Sequence, residues 1–262
     1  MTRLVTTVAA SFALASIACG QHAGDVVLSL ENGRIHTAAE LGEGLIEPSR
    51  VFASELGEIA PGFSDEPGFD CDLGAFPFPS SIGFRIRGPL LRWIDGTGDG
   101  RSPETMSVAF GPLGPVASPA CNSVVEGFAL SVASNGTWHR HLEFTIDEAA
   151  PHGVYILGLE LFSSLPTIQD SRTFWIVFNH GEEETEHDAA IDWTEANLGG
   201  ALCPADFDGD GQIAVPDIFA FLSAWFAGSD SPNAWRTDFD GSCGVGVPDI
   251  FAFLSAWFAG CP

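Results

Sequence analysis

The sequence predicts a mainly β protein: an antiparallel β-sandwich or jelly roll over residues 24–200 with one helix at its end, then a small α-helical module over residues 201–262. Three observations carry this. Short runs rich in β-branched and aromatic residues recur up to residue 178 with turn residues between them. Charged residues make up only 17% of the chain beside 30 Gly, 17 Pro and 21 Phe, a composition of turns and packed strands rather than long solvated helices. Residues 215–228 recur without change at 247–260, which marks a duplicated unit.

The chain opens with Met1-Thr2-Arg3, an apolar run of small residues over 4–18 and the polar exit Cys19-Gly20-Gln21-His22-Ala23. That run falls short of the roughly 20 residues that span a bilayer. Residues 1–23 therefore read as a secretory signal peptide, cleaved after Ala18, Gly20 or Ala23. Ser16-Ile17-Ala18-Cys19 faintly resembles a lipobox, which would leave Cys19 acylated. The expected location is periplasmic, cell-surface or extracellular, with no transmembrane segment in the mature chain.

Residues 26–30 lead through Asn32-Gly33 into 35–37, the pattern of a tight hairpin. Further strands are predicted at 82–87, 90–94, 105–110, 127–133, 137–146, 154–162 and 172–178, with turns at Asn135-Gly136 and over 95–100. Eight or nine strands at this spacing suit a sandwich or jelly roll. A helix is predicted over 188–198, capped by Asp188 and stopped by Gly199-Gly200, where the domain ends.

The 262 residues carry 35 acids against 10 basic residues, all of them Arg, for a formal charge of −25. A phosphate backbone or an anionic membrane needs a basic footprint, so nucleic acid is excluded as a partner. Export permits disulfides. Cys203 with Cys261 would clasp the last segment, and Cys71 with Cys121 would staple the larger domain. Cys243 is then odd, and spacing alone does not settle the connectivity.

Asp-Phe-Asp-Gly precedes each copy of the repeat, at 206–209 and 238–241. In the first copy Asp206, Asp208, Asp210 and Asp217 occupy positions 1, 3, 5 and 12 of a twelve-residue loop, with Gly211 at the bend. The Gln212 carbonyl stands at position 7 and Ile213 at position 8. A hard cation that takes six to eight oxygens needs this arrangement, so the loop predicts calcium. The second copy keeps Asp238, Asp240, Ser242 and Asp249, with the Gly244 carbonyl at position 7, but Cys243 replaces the bend glycine. Weaker calcium binding is expected there. After each loop a Pro starts an exit helix, and Gly228 and Gly260 stop the two helices. A module of this size has limited core to hide its aromatics, so Phe219, Trp225, Phe226, Phe251, Trp257 and Phe258 are candidate partner-binding residues.

This C-terminal region resembles the dockerin module, in particular the planctomycete variant framed by a leading Cys-Pro and a closing Gly-Cys, here Cys203-Pro204 and Gly260-Cys261. The resemblance implies calcium-dependent folding and docking to a protein partner, a cohesin-like domain or a surface anchor. Cohesin-binding dockerins commonly carry Ser-Thr where this chain has Val215-Pro216 and Val247-Pro248.

In the larger domain, Trp138-His139-Arg140-His141-Leu142-Glu143 places His139, His141 and Glu143 on one face of the predicted strand. Two imidazoles and a carboxylate suit zinc, and His187, from the acidic stretch 182–188, would complete a tetrahedral set. The runs at 44–52, 64–70, 139–142, 174–178 and 187–193 resemble an exported cyanobacterial family, repressed by the zinc-uptake regulator, whose members usually end in a PEP-CTERM sorting signal. The resemblance implies a zinc-linked role outside the cytoplasm, with His139, His141 and His187 on the family's histidine motifs. Here the helical module stands in place of the sorting tail.

No Ser-His-Asp or Cys-His arrangement stands out, so no catalytic residues are assigned and no enzyme activity is expected. The expected function is an exported metal-binding protein tethered through the calcium module. The competing reading, from another class, is a carbohydrate-binding or carbohydrate-active β-sandwich.

Overall fold

The computed structural model describes residues 24–41, 45–93, 100–201, 203–228 and 234–261. The signal-peptide and Cys19 expectations lie outside these residues. The fold is mainly β, with several sheets and a few short helices. No described helix is long and apolar enough to cross a membrane.

One four-stranded sheet has the order β3 (Leu45–Pro48), β2 (Arg34–Leu41), β1 (Val26–Glu31), β6 (Phe69–Cys71). Its β1–β2 hairpin turns at Asn32 and Gly33, both with positive φ, the geometry an Asn-Gly pair favours. A second four-stranded sheet runs β11 (Leu113–Ala117), β10 (Ser107–Phe110), β13 (Glu143–Thr145), β5 (Phe63–Ser64). The third and largest runs β12 (Val124–Ser131), β7 (Ser81–Arg87), β14 (Gly153–Ser163), β15 (Phe174–His180), β4 (Val51–Glu55). Beside it β8 (Leu91–Arg92) pairs with β14 and with β9 (Gly100–Arg101).

The pairing is not all antiparallel: β1 lies parallel to β6, and β15 parallel to β4. Arg50 and Thr37–Ser49 contacts feed the chain into β4, a short strand whose partner lies more than 120 residues on, so no local hairpin signal announces it. The strand predicted over 137–146 shortens to β13, because Arg140 makes only an isolated bridge to Phe69.

Strands β14 and β15 explain the core. Tyr155, Leu157, Leu159, Phe174, Ile176 and Phe178 face the main core between the sheets. Val154, Ile156, Trp175 and Val177 alternate with them and face a second core, closed by Ala190 and Leu198 of the helical segment and by Trp235. An uninterrupted apolar run is the pattern of a strand covered on both faces. The helix α1 (Glu184–Thr194) starts four residues before the predicted Asp188. Glu183, extended, precedes it, and Glu184 and Glu186 complement the helix dipole in its first turn. A π-helical turn, Glu195–Gly199, brings it to the predicted stop.

The C-terminal helices are α2 (Val215–Ala227), α3 (Ala234–Thr237) and α4 (Val247–Ala259). The duplication folds as a pair: Phe221 and Phe253 stack 4.2 Å apart and 1° from parallel, at the centre of a third core with Phe207 and Ala224. Cys203 bonds Cys261, as expected. Cys71 and Cys121 do not pair. Cys71 is buried at the end of β6 with its sulfur accepting the Trp138 N–H at 3.1 Å, whereas Cys121 bonds Cys243. That bond and the packing of Trp235 against Trp175, at 6.1 Å, seat the helical module on the β-domain.

Candidate metal centres

The two loops before α2 and α4 are built alike. Asp217 accepts N–H groups of Phe207 at 2.7 Å and Ala214 at 2.7 Å, and Asp249 accepts those of Asp240 at 3.0 Å and Gly246 at 2.7 Å. Asp206 accepts the Gly211 N–H and Asp238 the Cys243 N–H, both at 3.1 Å. These four carboxylates are buried. Asp208 and Asp210 complete a convergent set with Asp206, as Asp240 does with Asp238 and Asp249, every set having its oxygens within 4.8 Å of one another. Gln212 donates its N–H to Asp210, and the Gly244 carbonyl accepts the Ser242 hydroxyl.

The loops differ in charge. Loop 1 holds four Asp and loop 2 three, with Ser242 in the place of Asp210. In loop 1, burial and the neighbouring charges of Asp217, Asp210 and Asp206 push the Asp208 carboxyl upward. In loop 2, hydrogen bonds from Ser242 hold Asp240 below the usual carboxylate range. The crowded carboxylates of loop 1 gain more from a cation. Loop 2 carries its own sign of fit to one: Asp238 Oδ1 is buried and has no hydrogen-bond partner among the described residues. Cys243 takes up the bend with φ of 69°, where Gly211 has 81°.

The six aromatics of the helical pair divide. Trp225 donates its indole N–H to the Gly246 carbonyl at 3.0 Å and Trp257 to the Ala214 carbonyl at 2.9 Å, so each tryptophan latches the opposite repeat. Phe219, Phe226, Phe251 and Phe258 are 66%, 76%, 66% and 77% exposed and form the outward surface.

In the β-domain, three chain segments meet at the edge of β6. Val26 donates its N–H to the Gly68 carbonyl at 2.7 Å, and Phe69 and Arg140 exchange two backbone hydrogen bonds. This brings Asp25, His139 and His141 together with ligand atoms within 4.8 Å. His141 directs Nδ1 at the Asp65 carbonyl, 3.1 Å away, with Glu66 at 3.4 Å. His139 Nδ1 lies 3.5 Å from Asp70 and 3.9 Å from Asp25. With Nδ1 donating to the Asp65 carbonyl, Nε2 of His141 keeps its lone pair for a metal, the arrangement that carbonyl-supported metal-ligating histidines adopt. A Cβ on Gly68 would stand 2.8 Å from His141 Nε2 and 2.7 Å from Asp25 Oδ1. Glycine there keeps the space between imidazole and carboxylate open.

His187 is not part of this centre. It is buried on α1, with Nε2 donating to the Val177 carbonyl at 2.9 Å and Nδ1 3.1 Å from Glu55, so it ties the helix to the sheet. Burial opposes its charged form, but the hydrogen bonds to Glu55 and Val177 and the charges of Glu55 and Glu184 outweigh it and raise its pKa. Glu143 also lies apart from the centre, accepting the Gly111 N–H at 3.1 Å on β13. Asp25 takes the place expected of them. It stands alone in the sequence before an apolar strand, and only the parallel pairing of β1 with β6 reveals it.

No protein-family model matches the chain, and no curated protein matches it.

Proposed function

We propose that this chain is an exported metal-binding protein, in which a dockerin-like module carries two calcium ions and the β-domain carries zinc. The observation that supports it most is the duplicated acidic loop: in each copy two carboxylates are buried and three converge, a costly arrangement without a cation. Asp206, Asp208, Asp210 and Asp217 would hold the first ion and Asp238, Asp240 and Asp249 the second, while Asp25, His139 and His141 would supply three zinc ligands. The Cys121–Cys243 bond makes the module a fixed part of the molecule, so docking to a partner falls to the Phe219, Phe226, Phe251 and Phe258 surface. The resemblance to dockerins supports a protein as that partner. The carbohydrate reading would draw on exposed aromatics of the β-domain, where Trp93, Trp138 and Trp175 are buried and Phe78 is exposed.

Elemental analysis of the mature chain after dialysis tests the proposal. Two calcium ions and one zinc per chain are expected, with zinc lost in His139→Ala and His141→Ala and calcium retained. Absence of stoichiometric calcium refutes the module's role, and absence of zinc refutes the β-domain's.

A further inference from the structure

We propose, on the calcium reading of the second loop, that ion binding there is linked to the Cys121–Cys243 disulfide: the bond holds the loop in its binding shape, and a bound ion protects the bond from reduction. One observation points to a ligand in this loop apart from its spacing. Asp238 is wholly buried, and its Oδ1 has no hydrogen-bond partner among the described residues. The disulfide enters the same loop at its bend, at Cys243, the position that Gly211 fills in the first loop.

The bend is built the same way in both loops. Gly211 donates its N–H to Asp206 and Cys243 its N–H to Asp238, each at 3.1 Å, so the backbone at the bend orients the first carboxylate of its loop. Both bends need the left-handed region, with φ of 81° and 69°. Glycine takes that conformation freely, whereas a residue with a side chain leaves it when nothing holds it there. The β-domain does the holding. Cys121 is buried in a turn where Ser123 donates its N–H to the Cys121 carbonyl at 2.7 Å, and Gly88, just after β7, donates to the Ser123 carbonyl at 3.0 Å. The second loop lies close on that turn, since a Cβ on Gly241 would stand 2.9 Å from the Asn122 carbonyl oxygen. The bend of the first loop stands in open space, where a Cβ on Gly211 would meet nothing within 4 Å.

Reduction removes this tether. Cys243 is exposed and Cys121 buried, so a thiolate of an external dithiol reaches the Cys243 sulfur. A mixed disulfide forms there as the S–S bond breaks, and Cys121 leaves as a thiolate that takes up a proton. The second thiol of the dithiol then displaces Cys243, so that two electrons and two protons have passed from the dithiol to the cystine. Cys243 is now free to leave φ of 69°, and its N–H then no longer supports Asp238. An ion binding to the reduced loop must restore this backbone, and the preference of an L-residue against it corresponds to about tenfold in affinity. Linkage is reciprocal, so calcium disfavours reduction by the same factor. The second ion is thereby held tightly only once oxidation has joined the module to the β-domain.

Calcium titration of the mature chain, oxidised and as Cys121→Ser with Cys243→Ser, tests the linkage, with Asp208→Asn and Asp210→Asn in both to silence the first loop through its two exposed carboxylates. The remaining site should bind about tenfold more weakly in the serine pair. The unmutated chain supplies the converse. In mixtures of reduced and oxidised dithiothreitol, with alkylation of Cys243 read by peptide mass mapping, calcium should shift the equilibrium about tenfold toward the bond, and Asp240→Asn should abolish the shift. That measurement decides the matter if the serine pair does not fold. Equal affinities in the folded forms, or an equilibrium that calcium leaves unmoved while the oxidised chain binds calcium at this loop, overturn the linkage alone. Absence of calcium from the second loop of the oxidised chain overturns the calcium reading of that loop as well.

Discussion

Replacing Cys121 and Cys243 by serine cuts the covalent link between the helical module and the β-domain, and the structure sets the size of the effect. The bonded residues are 122 apart in sequence, and loop-closure entropy for that separation amounts to about 5 kcal/mol. For a protein of this size that corresponds to a fall in Tm of roughly 10–20 °C. Cys243 also sits at φ of 69°, a region that costs a side-chain-bearing residue about 1 kcal/mol. Once the bond is gone that cost has no compensation. Cys121→Ser with Cys243→Gly should therefore be about 1 kcal/mol more stable than Cys121→Ser with Cys243→Ser. Denaturant unfolding under non-reducing conditions in EDTA, followed by tryptophan fluorescence, measures both differences, because Trp235 and Trp175 meet at this junction. A double-serine variant within about 1 kcal/mol of the parent would refute the clasp, and equal stability of the serine and glycine variants would refute the strain assigned to the bend.

Four further outcomes are expected. Calcium titration should show loop 1 tighter than loop 2, with Asp210→Asn narrowing the difference; saturation at a hundred times Kd should stabilise the module by about 2.7 kcal/mol per site, read as a rise in Tm. Phe221→Ala removes one ring of the central stack and should cost about 3–5 kcal/mol in chemical denaturation. Gly68→Ala drives a methyl group against His141 and Asp25, so zinc content should fall while the thermal transition stays cooperative. His187 has a raised pKa in the folded state, so its charge stabilises the protein fully below the unfolded histidine pKa, and this contribution is lost as pH rises through the folded value. Replacing His187 by Gln should therefore cost more stability at pH 5 than at pH 9, and a pH-independent difference in unfolding free energy would contradict the Glu55 pairing.

Much of the architecture was legible because it rests on local signals. Asn32-Gly33 demands positive φ and makes a hairpin wherever strands flank it. The run over 154–162 reads as a strand from its β-branched and aromatic residues, and the repeat must form two like helices. The strands that escaped notice are short or paired across long separations, as β4 with β15 and β6 with β1 are. The histidines show the same divide. His139 and His141 are two residues apart and share a side, whereas neither the exclusion of His187 nor the inclusion of Asp25 has any local signature. The surface aromatics divided for a related reason: Trp225 and Phe226 are neighbours, but they point one into the opposite repeat and one away from it.

The sequence by itself determined a mainly β chain ending in a duplicated acidic loop and helix, because strand alternation, turn chemistry and ligand spacing act over a few residues. Only the tertiary structure decided the partners. It joined Cys243 to Cys121 instead of leaving it odd and brought Asp25 to the histidines. Each of these depends on strands and modules meeting across scores of residues, and the energy of such meetings lies in burial and packing that no local pattern encodes.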